Sequence, residues 1–408
     1  MAKRNSFIIG LDIGTTKVCA VVGEILPDGR VDIVGIGNRP SKGLRKGVII
    51  NIDNTVRAIQ DACKEAQHMS GVNIDTVVAS IAGDHIRGFN SRGVIAVSRK
   101  NREITRKDMY RAIDAARAVA IPADHEVLHV LPQEYLIDNH DGIKDPVGMK
   151  GVRMEVDAHI VTSASSSKDN IMKCIKKAGF DVSGITLEQL ASSEAALSQD
   201  EKELGVALLD IGGGTTDVAI YVEGHIWHSY VLPLGGNNIT NDIAVGLKTP
   251  YAEAEKIKKR YGYAMMDMVT EEDMIKVPAR GNRKNRYVSR KILAEIIEPR
   301  VEEIFKLVKE NIENAGYADL ISSGVVLTGG TSLMEGITEF GEEIFGIPFR
   351  RGEPMEIGGL VDVVNNPSYS TGVGLILYSI RNGHNYLEHN HSEESFMKKF
   401  LRFLSDRF

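Results

Sequence analysis

The sequence is poor in cysteine and tryptophan and holds no long apolar run. Its three cysteines among 408 residues, Cys19, Cys63 and Cys174, lie far apart and match no metal-ligand spacing. An odd, sparse set of this kind fits a reducing cytoplasm and gives no disulfide framework. No stretch reaches the eighteen or so uncharged apolar residues that a spanning helix requires. Any meeting with a membrane is therefore expected at its surface. A signal peptide is not expected either, because Met1-Ala2-Lys3-Arg4-Asn5-Ser6 runs straight into strand-like Phe7-Ile8-Ile9. Basic excess is also missing. Lysine and arginine number 49 against 55 acidic residues, a net charge of −6, which argues against a dedicated nucleic-acid binder.

What is present is ordinary globular composition, 43% apolar and 25% charged, in a chain long enough for two or three compact units. Val-, Ile- and Leu-rich strands alternate with amphipathic helices from residue 7 to about 380. Strands are predicted at Phe7–Leu11, Val18–Val22, Val206–Leu209 and Val325–Leu327. Helices are predicted at Asn54–Ser70, Lys107–Val119, Ser167–Ala178, Tyr251–Tyr261 and Ser289–Asn314. This alternation is that of an α/β protein whose mixed sheets are covered by helices.

One internal echo organises the chain. Ile9-Gly10-Leu11-Asp12-Ile13-Gly14-Thr15-Thr16-Lys17-Val18 is matched by Ala207-Leu208-Leu209-Asp210-Ile211-Gly212-Gly213-Gly214-Thr215-Thr216-Asp217-Val218. Each copy is strand, Asp, glycine turn, Thr pair, strand. A phosphate chain needs backbone amides aimed at its oxygens and side chains too small to block their approach, and such turns supply both. Asp12 and Asp210 each end a strand, where a carboxylate can hold the water shell of Mg²⁺. One Asp-Gly turn alone is more often a plain hairpin; two matching copies in separate halves favour phosphate binding. Gly329-Gly330-Thr331 follows an apolar strand and can let a flat base lie against backbone. Gly235-Gly236-Asn237 is a fourth glycine element. Either of these, taken singly, also reads as a turn.

In this order and spacing the elements resemble those of the actin, sugar-kinase and heat-shock-chaperone superfamily. The resemblance implies ATP in a cleft between two domains, phosphates on the two hairpins and adenosine on the late Gly-Gly turn. It also implies two helices crossing between the domains, at Ile185–Ala196 and Pro367–Leu375. Glu188 falls where the superfamily often places the residue that orients the attacking water, although Gln189 replaces a frequent proline. Lys17 and Asp217 would sit beside phosphate or metal. Glu255 and Lys258 match ribose-holding positions of the filament formers, with a solvated helix face as the bland alternative.

Residues 84–163 interrupt the first domain and read as a small αβ subdomain around one helix at about 106–119. This stretch resembles the extra subdomain of the FtsA family of bacterial cell-division proteins, which serves self-association and contacts with later division proteins. The implied organisation is first domain at 1–83 and 164–204, insertion at 84–163, second domain at 205–357 with an upper lobe at about 247–320, and a return to the first domain at 358–380. A polar linker, 381–391, follows. On a helical wheel of 100° per residue, Phe396, Met397, Phe400, Leu401, Phe403, Leu404 and Phe408 then fall in one arc of roughly 160°. Lys398, Lys399 and Arg402 lie opposite. This pattern predicts an in-plane helix on an anionic membrane surface, with a docked last helix as the alternative. Six basic residues lie among Arg280–Lys291. By resemblance, Arg290, Lys291, Arg300 and Lys306 belong to the lobe where the family grips the acidic C-terminal tail of tubulin-like FtsZ; without it the basic run reads as a solvated loop. The family would act on the cytoplasmic face of the inner membrane, at the septum. Rival readings are a kinase or other ATPase of the same fold, and the related scaffold of type IV pilus assembly.

Overall fold

The computed structural model describes residues 6–98, 101–278 and 286–382. The predicted tail helix at 392–408 and residues 280–285 of the basic run lie outside them. Two α/β domains stand on either side of a cleft, and a third, smaller unit is inserted into the first.

The sequence echo becomes a topological repeat. In the first domain a six-stranded sheet has the order Asp181–Leu187, Thr76–Ile81, Ser6–Ile13, Lys17–Ile25, Val31–Pro40, Ile357–Gly359. In the second a five-stranded sheet has the order His225–Leu232, Thr216–Val222, Val206–Ile211, Val325–Thr328, Phe349–Arg351. Each is a three-stranded antiparallel meander whose first strand also pairs in parallel with a later one. The registers correspond: Asp12 lies opposite Cys19, and Asp210 opposite Asp217.

Local chemistry sets the covering helices. Helix Ile52–Ser70 starts at Asn51, whose side chain accepts from the Asn54 amide at 2.9 Å, and stops at Gly71, which adopts φ 69°. It buries Ala58, Ile59, Ala62, Cys63 and Ala66. Its approach depends on Gly37, where a Cβ would lie 1.9 Å from the Ala62 carbonyl oxygen. In the second domain Phe305 is fully buried on helix Arg290–Asn314. The rings of Phe340, Phe345 and Phe349 pack edge-on around it at 6.4, 6.1 and 5.8 Å.

The insertion is a four-stranded antiparallel sheet, Arg87–Ala96, Arg153–Ala164, His125–Ile137 and His140–Ile143 in spatial order. One face carries helix Arg106–Arg117, capped by a reciprocal Thr105–Asp108 pair. Helices predicted at Asn54, Lys107 and Ser167 begin one or two residues earlier than expected.

The crossing segments differ more from expectation. Ile185–Leu187 end a strand, and the helix starts only at Glu188. The β-branched Ile185-Thr186 pair is claimed by the sheet, in parallel register with Ala79 and Ser80. The second crossing is a short turn at Pro367–Tyr369 leading into a helix over 370–382. Gly374 permits the crossing, since a Cβ there would lie 1.8 Å from the Ala191 carbonyl oxygen. On this helix Arg381 bonds Glu194 at 2.7 Å and Glu356 at 2.9 Å.

Phe305→Ala should cost about 3–5 kcal/mol, the usual penalty for removing a fully buried phenylalanine. The check is denaturant unfolding followed by a probe in the second domain, which should show a lower midpoint.

Candidate functional site

The hairpin turns meet at the centre of the molecule. Gly14 N–H donates to the Lys17 carbonyl, and Gly212 N–H to the Thr215 carbonyl, each at 2.9 Å. The two loops face each other closely. A Cβ at Gly213 would lie 2.2 Å from Thr16 Cγ2, and one at Gly214 2.5 Å from Thr15 Oγ1. Only glycine allows this approach. Gly329 is constrained in two ways, by φ 82° and by Asp210 Oδ1 standing 2.3 Å from where its Cβ would be.

Together these elements line a cleft of about 800 Å³. Asp12, Gly14, Thr15, Thr16, Lys17, Glu188, Asp210, Gly212, Gly213, Gly214, Thr215, Asn237, Glu255, Lys258, Gly329, Gly330 and Thr331 all stand on its wall. Thr216, Gly235 and Gly236 do not: they brace the second hairpin from behind. Thr216 Oγ1 donates to the Leu234 carbonyl at 3.0 Å, and the Gly236 amide to the Gly212 carbonyl at 2.9 Å. Lys258 pairs with Glu255 at 2.8 Å and donates to the Gly236 carbonyl at 2.9 Å. The pair thus faces the cleft rather than forming a solvated helix face.

Sequence reasoning passed over several residues. Ser80 accepts from the Ile13 amide at 3.1 Å and donates to Asp12 Oδ1 at 3.2 Å. Thr371 donates to Asp210 Oδ2 at 3.3 Å, and the Gly47 amide to Thr15 Oγ1 at 3.0 Å. Lys17 donates to the Ser368 carbonyl and lies 4.8 Å from the centre of the Tyr369 ring. They come from a strand, a turn and a helix far from either hairpin in the sequence. The polar ends of the strand and helix, Ser80 and Thr371, were the only available signal.

The electrostatics are those of crowded acids. Asp12, Glu188 and Asp210 interact with Lys17, whose Nζ lies 3.9 Å from Asp12 Oδ2, and Asp217 lies beside Asp210 and Asp12. Burial pushes Asp210 up to about 6, with Asp12 adding repulsion. Burial and then Asp210 push Asp217 up to about 8. Glu188 is raised well above the carboxylate range by burial and by Asp217, Asp12 and Asp210. Asp217 is 1% exposed, with the Thr215 side chain favouring its charged form against burial. An all-oxygen donor set of excess negative charge suits a hard divalent cation. Among the described residues, however, no group of three or more His, Cys, Asp or Glu side chains could hold a metal ion. A divalent cation here would need further oxygen ligands besides the protein's own carboxylates.

The expected FtsZ-tail residues all lie on helix Arg290–Asn314 but spread around it, at about 0°, 100°, 280° and 160° for 100° per residue. Each is already ion-paired: Arg290 with Glu335, Lys291 with Glu271 at 3.2 Å, Arg300 with Asp242 at 2.6 Å, Lys306 with Glu302. Lys306 is the most exposed of the four, at 59%. Among the described residues no helix is long and apolar enough to cross a membrane.

Two glycine hairpins closing one cleft between repeated sheets define an actin-like protein. Solved structures agree at the level of fold. The PilM-PilN type IV pilus biogenesis complex aligns with a TM-score of 0.67 at 16% identity, over 91% of this chain and 98% of that one. MreB5 of Spiroplasma citri bound to ADP aligns with a TM-score of 0.57 at 17% identity, over 93% and 98%. Sequence relatives are far nearer. The cell division protein FtsA of Pseudomonas aeruginosa is 53% identical over 374 residues, 92% of this chain and 89% of that protein. FtsA of Escherichia coli K12 is 40% identical over 384 residues, 92% and 91%. The family profile for cell division protein FtsA matches residues 207–374, and that of the SHS2 domain inserted in FtsA matches 83–162. The chain belongs to the FtsA family of cell division proteins.

The raised Asp217 carries a sign that can be checked. Between an unfolded value of 3.8 and about 8 the folded chain holds a proton that the unfolded chain has lost, so stability falls as pH rises through that window. Asp217→Asn should flatten this fall and be the more stable protein at pH 8. Metal- and nucleotide-free thermal unfolding across pH 5–8 measures it.

Proposed function

We propose that this chain is an ATP-responsive membrane tether for FtsZ filaments. The carrying observation is the pair of glycine hairpins facing across one cleft, each with a carboxylate at its base. In this reading the amides of the two hairpins grip phosphates. Gly329, Gly330 and Thr331 lie along adenosine, with Glu255 and Lys258 at the ribose. Asp12 and Asp210 would hold Mg²⁺, largely through water. The metal, when bound, would offset phosphate charge beside the crowded carboxylates. Glu188 faces the same space and can orient a water molecule, so slow hydrolysis is chemically open.

The cleft acts first as a conformational switch. Groups on both domains hold one ligand, which favours closure. A closed subunit presents complementary ends, and heterologous contacts of that kind extend into filaments. The fold likeness to the MamK double helical filament supports this reading (TM-score 0.53, 11% identity).

Tethering falls to the tail. Phe396, Met397, Phe400, Leu401, Phe403, Leu404 and Phe408 would enter the lipid interface, with Lys398, Lys399 and Arg402 on anionic headgroups. One tail binds weakly; many tails on a filament bind with avidity. Arg290, Lys291, Arg300 and Lys306 would meet the acidic FtsZ tail by exchanging their present partners, and the insertion would recruit later division proteins. The location is the cytoplasmic face of the inner membrane at the septum, as a peripheral protein.

Vesicle pelleting with purified FtsZ tests the reading. The full chain should sediment with anionic vesicles and take FtsZ with it, while a form ending at Asn390 stays in the supernatant. If both forms stay soluble, the tether reading is wrong. Fast steady turnover of ATP with a phosphorylated product would point instead to a kinase.

A further inference from the structure

One strand of the insertion touches both halves of the molecule. In His125–Ile137, His129 meets the first domain: its Nε2 accepts the Leu187 N–H at 3.1 Å. Leu187 is fully buried and is the residue immediately before the helix that begins with Glu188. The edge of the same imidazole faces Tyr378 on the second crossing helix, at 6.3 Å and 73°. Four residues along the strand, Gln133 Nε2 donates to the Ile226 carbonyl of the second domain at 3.0 Å. Neighbouring strands complete that contact. Asn90 Nδ2 donates to the Trp227 carbonyl at 3.2 Å, and His159 Nε2 lies 2.8 Å from Ser229 Oγ.

We propose that His129 is a positioning residue through which the insertion holds Glu188 in the cleft and senses the relative setting of the two domains. This inference rests on the reading of the cleft as an ATP site. A buried backbone N–H needs an acceptor, and here the acceptor comes from a different subdomain. Burial, then the charge of Lys168, holds His129 down to about 4. The ring is therefore neutral at physiological pH, with its proton on Nδ1 and its Nε2 lone pair free for Leu187.

Geometry supplies the coupling. Although the strand bulges at Gln133, it does not stretch, so His129 and Gln133 keep a nearly fixed spacing, at most about 13 Å for a regular strand. If the domains rotate about the crossing helices, the strand cannot keep both contacts unless the whole insertion moves with them. The near root of the insertion adjoins the cleft too. Ser80 bonds Asp12, and Gly83 packs on Gly47, where a Cβ would lie 2.8 Å from the Gly83 Cα. The insertion thus meets the first domain at two points, one beside Asp12 of the cleft wall and one beside Glu188, and the second domain at one.

Hydrogen exchange of the full chain, with and without ATP and Mg²⁺, tests the link, with ATP affinity measured on the same samples. In the natural sequence, ATP should slow exchange in peptides spanning 125–137 by about tenfold. His129→Phe keeps the ring but removes the acceptor; it should bind ATP within about threefold of the natural chain and lose the slowing. His129→Gln restores an acceptor near Nε2 and should recover it. Should His129→Phe fail to fold, Gln133→Leu, which cuts the other end of the strand, takes its place with the same expected loss. An unchanged response in the folded variant, or no response in the natural chain despite ATP binding, overturns this inference alone. Failure of the natural chain to bind ATP overturns the nucleotide reading, and this inference falls with it.

Discussion

The structure is arranged around a place where it is electrostatically uncomfortable. Four carboxylates share one buried region with a single lysine. Like charges so close, with little water, raise one another's proton affinity. A fold that only needed stability would replace such a cluster with apolar groups. Keeping it makes sense where a cation and a polyanion complete the balance, and the surrounding glycines, hydroxyls and amides are those that a polyanion requires. The same cluster joins the two domains, because Asp12 belongs to one sheet, Asp210 and Asp217 to the other, and Glu188 to the helix between them.

Much of this was legible in the sequence, for an identifiable reason. The hairpins at residues 10–18 and 207–218 are local: the turn, the acid and the Thr pair lie within a dozen residues, and the glycines are there because nothing larger fits between the loops. The repeated topology follows from the same echo. What sequence reading missed is non-local. Ser80, Gly47 and Thr371 reach the cleft from separate elements, and although Thr371 lies in the expected crossing segment, nothing local assigns any of them to the carboxylates. Ile185–Leu187 looked like the start of a helix because the apolar spacing of a buried strand end and a buried helix start is alike; parallel pairing with Ala79–Ile81 decides it. The sequence also could not show that the cations of the long helix point to different sides, each with an acid nearby.

The insertion changes how the superfamily plan works here. A two-domain hinge can open freely if only its crossing helices join the halves. Here a third body leans on both domains, with polar contacts to the outer strand of the second and a histidine under the crossing point of the first. Nearly all of these contacts are short side-chain bonds to backbone or hydroxyl groups, which specify a setting more than they add cohesion.

Arg381 gives the molecule a fixed frame of reference. By bonding Glu194 of the first domain and Glu356, just ahead of the Ile357–Gly359 strand of the first-domain sheet, it fixes the described part of its helix to that domain. Any polypeptide that continues from there is carried by that domain. Were such a segment held on a surface, this tie would leave the first domain as the stator and the second as the rotor of any movement about the cleft.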